Sequence, residues 1–191
     1  MTRDGILEAA AQIFSEKGYH AASMQDIAQS VDLQKASLYH HFPSKQEILL
    51  AVLDRALDIL IANMQQVLEL PCPPDQKLSQ AMLIYLHTML DNRELAAVLL
   101  LEHRSLEPEL QSRHIPRRDR FERLWRDLIQ EGLDTGVFCC MDAALSARGL
   151  LGVMNWTITW YRPEGTLRPE IIAEQFSNLF LNGLVTRPKD G

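Results

Sequence analysis

The chain has 191 residues, 47% of them hydrophobic and 23% charged, with a net charge of −6. That apolar share supports one sizeable core plus a small second one, while the acidic balance means charge alone gives no pointer to a nucleic acid. No apolar run approaches the roughly 18 residues of a membrane span, Met1-Thr-Arg-Asp-Gly carries no signal peptide, and Cys72, Cys139 and Cys140 lack metal spacing and fit reduced, cytoplasmic thiols. Adjacent Cys139 and Cys140 would close only a strained eight-membered ring.

From about Arg3 to Lys17, Ile6, Ala9, Ala10, Ile13 and Phe14 recur at helical spacing, and Gly18 stands where a left-handed residue ends a helix. Ser23 is a good N-cap, with Asp26 at the carboxylate position of a capping box. Ile27 and Ala28 supply an inward face, and Val31-Asp32-Leu33 makes a turn. The next helix, roughly Gln34 to His41, has Ala36, Leu38 and Phe42 to pack inward. Its other residues, Gln34, Lys35, Ser37, Tyr39 and His40, are nearly all hydrogen-bond donors or acceptors. A helix this short cannot stabilise itself in water and must be held by its neighbours. A short, polar, supported helix after a tight turn is what a DNA major groove admits, so a helix-turn-helix is the leading reading.

Pro43 biases Phe42 away from helical angles, and Ser44 with Glu47 forms a second capping box. The next helix, residues 45 to about 69, carries Ile48, Leu49, Val52, Leu53, Ala56, Leu57, Leu60 and Ile61 at three-and-four spacing. Its reach of about 36 Å suits a strut between a head and a larger body. Pro71-Cys-Pro-Pro74 then breaks the chain. Helices are expected from about Asp75 to Leu90, from Arg93 to Arg104, and from Arg117 to Leu133. The second of these is almost wholly apolar between Leu95 and Leu101, hence central. Pro108 and Pro116 bracket a short irregular or helical piece. Two last helices follow, about Met141 to Trp160 and Pro169 to Val185. Ala143, Ala144, Ala147, Gly149 and Gly152 line the first with small residues. The second is apolar over more than one face and must be covered on both sides, one cover being a second copy of the chain.

The residues Ile6-Leu7-Glu8-Ala9-Ala10, Phe14, Lys17-Gly18-Tyr19, Ser23-Met24, Ile27-Ala28 and Leu38-Tyr39-His40-His41-Phe42-Pro43-Ser44-Lys45 resemble the TetR family of transcriptional regulators. The resemblance spans about the first 50 residues. It implies an all-α fold of about nine helices: a three-helix helix-turn-helix DNA-binding domain, residues 1–46, and a helical ligand-binding and dimerisation domain, residues 47–191. It also implies a homodimer joined by its last two helices, on an operator of double-stranded DNA. Two recognition helices about 34 Å apart then read successive major grooves.

The head has four basic residues against six acidic ones over residues 1–50, so phosphate contacts must be local. The expected DNA-binding set is Gln34, Lys35 and Ser37 at base edges, with Ser23, Tyr39, His40 and Lys45 at phosphates. Polar groups inside a helical body hint at a ligand. The expected set is Tyr85, His103, Arg148, Asn155, Trp156 and Trp160, with Arg117 and Arg120 from an arginine-rich stretch between Arg113 and Arg126. The tryptophan pair fits a pocket and a packing face equally well. The stretch Asn155 to Gly165, with Phe176 to Gly183, looks like the C-terminal region of a TetR subgroup that governs fatty-acid or steroid breakdown and is relieved by acyl-CoA thioesters. The working model is thus a dimeric repressor released by a small hydrophobic effector such as an acyl-CoA. An effector-independent DNA-binding protein or an activator stands as the alternative. No catalytic residue, metal, cofactor or membrane partner is expected: there is no phosphate-cradling glycine loop and no nucleophile with an orienting base. Side chains of adjacent His40 and His41 diverge by about 100° on a helix.

Overall fold

Helix caps legible in the sequence set the first elements of the computed structural model, which describes residues 2–139 and 142–184. The expectations for Cys140 and for helix ends at Met141 and Val185 lie outside the described residues, as does the side chain of Leu184. Among the described residues the fold is all-α with nine α-helices: α1 (Arg3–Lys17), α2 (Met24–Ser30), α3 (Lys35–His41), α4 (Lys45–Leu68), α5 (Pro74–Asp91), α6 (Arg93–Ala97), α7 (Pro108–Asp134), α8 (Ala143–Trp160) and α9 (Pro169–Leu184). Among these residues no helix is long and apolar enough to cross a membrane.

The chain forms two compact units. One comprises the residues up to Asp58 together with Asn92–Arg118; the other comprises Ile59–Asp91 and the residues from Asp119 onward. In the first, α1 packs on α2, on α6 and on the turn that follows α6, and α2 packs on α3. Its core is Ile6, Leu7, Ala10, Phe14, Ile27, Leu38, Phe42, Ile48 and Leu49, all almost fully buried. Thr2 Oγ1 accepts from the Gly5 N–H to start α1, and the Gly18 N–H donates to Phe14 O to end it. Gly18 takes φ +77° and ψ 152°, not the left-handed helical angles expected from sequence. This extended, positive-φ region is open essentially to glycine alone. The turn after α2 is a Schellman motif: Leu33 N–H donates to Ala28 O and Asp32 N–H to Gln29 O. Asp32 supplies the positive φ of 53°, which aspartate tolerates better than most residues.

Three expectations are corrected in this unit. Ala36 is exposed, so Leu38 and Phe42 alone anchor α3 inward. The helix expected from Arg93 to Arg104 is α-helical only to Ala97; Val98–Glu102 forms a π turn and His103–Ser105 a 3-10 turn. The widened turn puts Leu101 in solvent, 66% exposed, whereas Val98 and Leu99 stay buried. Pro116 does not end a helix but lies within α7. A proline costs a helix one hydrogen bond and a clash. Its neighbours pair with α4: Arg113 with Glu47, His114 with Asp54, and Arg117 with Asp54 and Asp58.

In the second unit α5 packs along α9 and touches α8. Tyr85 stacks on Phe121 with ring centroids 5.9 Å apart, and Trp125 meets both edge-on at 5.8 and 6.3 Å. The inward face of α8 is Ala143, Ala147, Leu150, Met154 and Thr157. Its opposite side carries Leu145, Gly149, Gly152, Val153 and Trp156 out to solvent.

Substituting Gly18→Ala forces a side chain into the glycine-only region, and we expect a loss of about 1–3 kcal/mol in unfolding free energy. Urea denaturation checks it.

Candidate nucleic-acid interface and body cavity

Helix α3 stands on the surface of the first unit because its two apolar anchors, Leu38 and Phe42, are four residues apart on one side. That leaves Gln34, Lys35, Ala36, Tyr39, His40 and His41 exposed and Ser37 half-buried. Gln34 occupies the N-cap position without a side-chain cap bond, so its amide is not spent on the helix. Ala36 and His41 join the exposed face although the sequence reading left them out. Only tertiary packing reveals that the Ala36 methyl points away from the core side.

Ser23 and Lys45 are built into the protein. Ser23 Oγ accepts from the Asp26 N–H at 3.1 Å, and the Ser23 N–H donates to Asp26 Oδ2 at 2.8 Å, which completes the expected capping box. Lys17 adds an ion pair to Asp26 at 2.7 Å. Lys45 departs from its expected phosphate role. Its ammonium donates to Tyr19 O at 2.8 Å and Ala22 O at 2.6 Å, and lies 4.3 Å from the centre of the Tyr19 ring. Partial burial lowers its pKa, with Asp26 opposing that shift. Lysine reaches this place because the α1–α2 loop turns its carbonyls toward the start of α4. The second capping box is half made: the Glu47 N–H donates to Ser44 Oγ, and the Glu47 carboxylate takes Arg113.

The second unit contains a small cavity lined by Leu60, Asn63, Met64, Val67, Ala81, Ile84, Tyr85, Phe121 and Trp125. It has room for about one water molecule. No charged side chain lines it. Trp125 Nε1 is buried with no hydrogen-bond partner among the described residues, a state that costs about 1–3 kcal/mol. Tyr85 Oη donates to Asn155 Oδ1, and burial raises the phenol pKa. Asn63 donates to Thr88 Oγ1 at 2.8 Å. Asn63 and Trp125 are not among the expected ligand residues, although for Asn63 the sequence carries a signal. Asn63 is a polar residue inside the apolar stripe Leu60, Met64, Val67.

The other expected ligand residues are placed elsewhere. His103 and Arg117 belong to the first unit. Burial, then the charge of Arg104, lowers the His103 pKa. Arg117 pairs with Asp54 and Asp58. Arg148 is exposed and donates to Glu122 at 2.8 Å, and Arg120 is exposed. Trp156 and Trp160 are 66% and 39% exposed and do not line the cavity. The phase of α8, fixed by Ala147, Leu150, Met154 and Thr157, turns them away from the core. Among the described residues no cluster of His, Cys, Asp or Glu could hold a metal ion.

A capped helix pair with its short second helix presented to solvent, followed by helices enclosing a separate core, defines a helix-turn-helix regulator. Residues 6–52 match the family of bacterial regulatory proteins, tetR family, and residues 71–184 match a tetracyclin repressor-like C-terminal domain. The transcriptional repressor KstR2 of Mycolicibacterium smegmatis is 30% identical over 190 residues, covering 98% of this chain and 93% of the relative. The TetR family regulator PfmR from Thermus thermophilus shares the fold with a TM-score of 0.86 at 40% identity, covering 93% of this chain and 97% of that one. The ketosteroid regulator KstR2 of Mycobacterium tuberculosis does so with a TM-score of 0.86 at 26% identity, covering 97% and 95%. The chain belongs to the TetR family: it is a DNA-binding transcriptional regulator and not an enzyme.

The capping box makes a pH prediction. Lys17 first, then Ser23, hold the Asp26 carboxyl well below the usual carboxylate range. A depressed folded-state pKa gives stabilisation that is complete above the unfolded value, about 3.9, and lost as pH falls through the folded one. Thermal melts of the parent and Asp26→Asn should therefore differ by a constant amount above about pH 4, and converge at lower pH.

Proposed function

We propose that the protein is a dimeric repressor that grips its operator with α3 and lets go when a small hydrophobic effector enters the body. The exposed polar face of α3 carries this reading. Gln34, Lys35 and Ser37 probe base edges, and the Ala36 methyl is available to a thymine methyl. Tyr39 and His40 hold phosphates, with Ser23 at the N-terminus of α2 beside them. Lys45 acts from inside, by fixing the α1–α2 loop.

Dimerisation is supported by the apolar residues that α8 and α9 leave in water. Leu145 is 70% and Leu179 65% exposed, and Trp156 on α8 and Ile171 on α9 are exposed as well. Large apolar side chains exposed on helices otherwise well packed are what a two-fold interface covers. Small residues at Gly149 and Gly152 permit close approach of a partner helix.

The orphaned Trp125 N–H supports an effector. An uncharged lining excludes a free carboxylate, which would be buried without a cation. A neutral carbonyl such as a thioester satisfies the donor. Arg120 and Arg123, exposed in the same unit and without an ion pair among the described residues, suit the phosphates of an acyl-CoA. The cavity must widen to admit an acyl chain. That is how binding energy can favour a second state; a swing from 1:99 to 99:1 takes about 5.5 kcal/mol of differential affinity. The narrowness of the cavity favours a second reading, an effector-independent DNA-binding protein.

Two experiments test the proposal on a duplex that the protein selects from a random pool. In sedimentation and anisotropy, Leu179→Asp should yield monomers that lose the duplex. Lys35→Ala should remain dimeric, lose about 1–3 kcal/mol of binding free energy and relax the sequence preference at one base pair of the duplex. If Leu179→Asp stays dimeric and bound, the α8–α9 interface is wrong. In the second experiment, acyl-CoAs of graded chain length are titrated into the complex beside the matching free acids. Release by the thioesters alone is the expected result; no release and no thermal shift with any of them leaves the effector-independent reading.

A further inference from the structure

The corner between α1 and α2 is held by groups that lie far away in the sequence. Glu102, the last residue of the π turn, accepts from the Tyr19 N–H through Oε1 at 3.2 Å. Its other oxygen accepts from Ser105 Oγ at 3.1 Å, and Ser105 Oγ also lies 3.4 Å from His20 Nε2. Gln46, at the start of α4, donates to Ser105 O at 2.9 Å and accepts from the Glu107 N–H at 3.0 Å. The main chain at Tyr19 is thus held on both sides of its Cα: its N–H by Glu102, and its C=O by Lys45.

This grip falls where the backbone is least self-supporting. Gly18 takes a conformation no other residue adopts readily, and a Cβ placed there would be 3.6 Å from Glu102 Oε1. Residues 18–22 set the angle between α1 and α2, and α2 carries α3 through the Schellman turn. The carboxylate reaches Tyr19 from the π turn, an element that is rare and tends to mark functional sites. A regular α-helix through residues 98–102 would end with Glu102 rotated and raised differently.

We infer that Glu102 is a positioning residue for DNA binding, a latch from the π turn that holds the α1–α2 corner in the conformation in which α3 faces the groove. It rests on the DNA-binding reading above, and it assigns Glu102 no contact with DNA. A charge effect and a latch predict opposite signs. If Glu102 acted only by its charge, removing it would ease repulsion from phosphates, and both Glu102→Ala and Glu102→Gln would bind tighter. A latch requires an acceptor for the Tyr19 N–H. Glu102→Ala then binds weaker, and Glu102→Gln, whose amide oxygen still accepts, binds like the parent.

The test uses the full-length chain and the selected duplex, well below the melting temperature of each variant. Glu102→Ala should lose about tenfold in affinity with its salt slope unchanged, and Glu102→Gln should stay within about twofold of the parent. Amide hydrogen exchange at Tyr19, read by NMR without DNA, should speed up in Glu102→Ala and not in Glu102→Gln. Should Glu102→Ala not fold, Ser105→Ala, which removes only the hydroxyl that orients the carboxylate, should show the same direction at about threefold. Tighter binding by either Glu102 variant, equal defects in both, unchanged affinity in Glu102→Ala, or in its place unchanged affinity in Ser105→Ala, overturns the inference. A parent that selects no duplex counts against the DNA-binding reading instead, and the exchange measurement still decides whether Glu102 holds the corner.

Discussion

A seven-residue helix has too few internal hydrogen bonds to persist in water. Helix α3 exists because Leu38 and Phe42 are buried in the first unit while the rest of its surface is left to solvent. Burial of two such side chains is worth about 3–6 kcal/mol. On the proposed reading, contact with DNA depends on that anchoring, since it frees the remaining side chains from structural duty. The same economy appears at Gln34, whose amide takes no part in capping. It is reversed at Lys45, where a cation in a head poor in cations is committed to backbone carbonyls.

The head therefore works with little net attraction to a polyanion. With four bases against six acids over residues 1–50, the proposed recognition leans on directed hydrogen bonds and helix-terminal amides more than on counterion release. Such a protein discriminates between sequences more through geometry than through proximity. The rigidity of the α1–α2 corner then matters as much as the identity of the reading residues. The capping box at Ser23, the Schellman turn at Asp32 and the grip on Tyr19 all serve that rigidity.

Much of this was legible beforehand. Ser23 with Asp26, the turn at Val31-Asp32-Leu33 and the long α4 follow from local rules, because each is decided by neighbours three or four residues away. Features decided by distant residues were not. The outward placement of Ala36 depends on what Leu38 meets. That α7 runs on through Pro116, beside residues paired with acids of α4, follows from no local rule. Trp156 and Trp160 are four residues apart whichever way α8 faces, and only the packing of Met154 and Thr157 turns them outward. The π turn follows from no periodicity in Val98-Leu-Leu-Leu-Glu102, where an unbroken apolar run fits several helical pitches. In the body, Asn63 inside an apolar stripe was a visible signal, whereas the unpaired indole of Trp125 was not.

The bond from Glu102 ends on a main-chain amide, so the link makes no demand on the identity of its receiver. Any amino acid but proline can donate from position 19, and drift there leaves the connection intact. Kinship between regulators built this way is better sought in the path of the backbone than in matched pairs of letters.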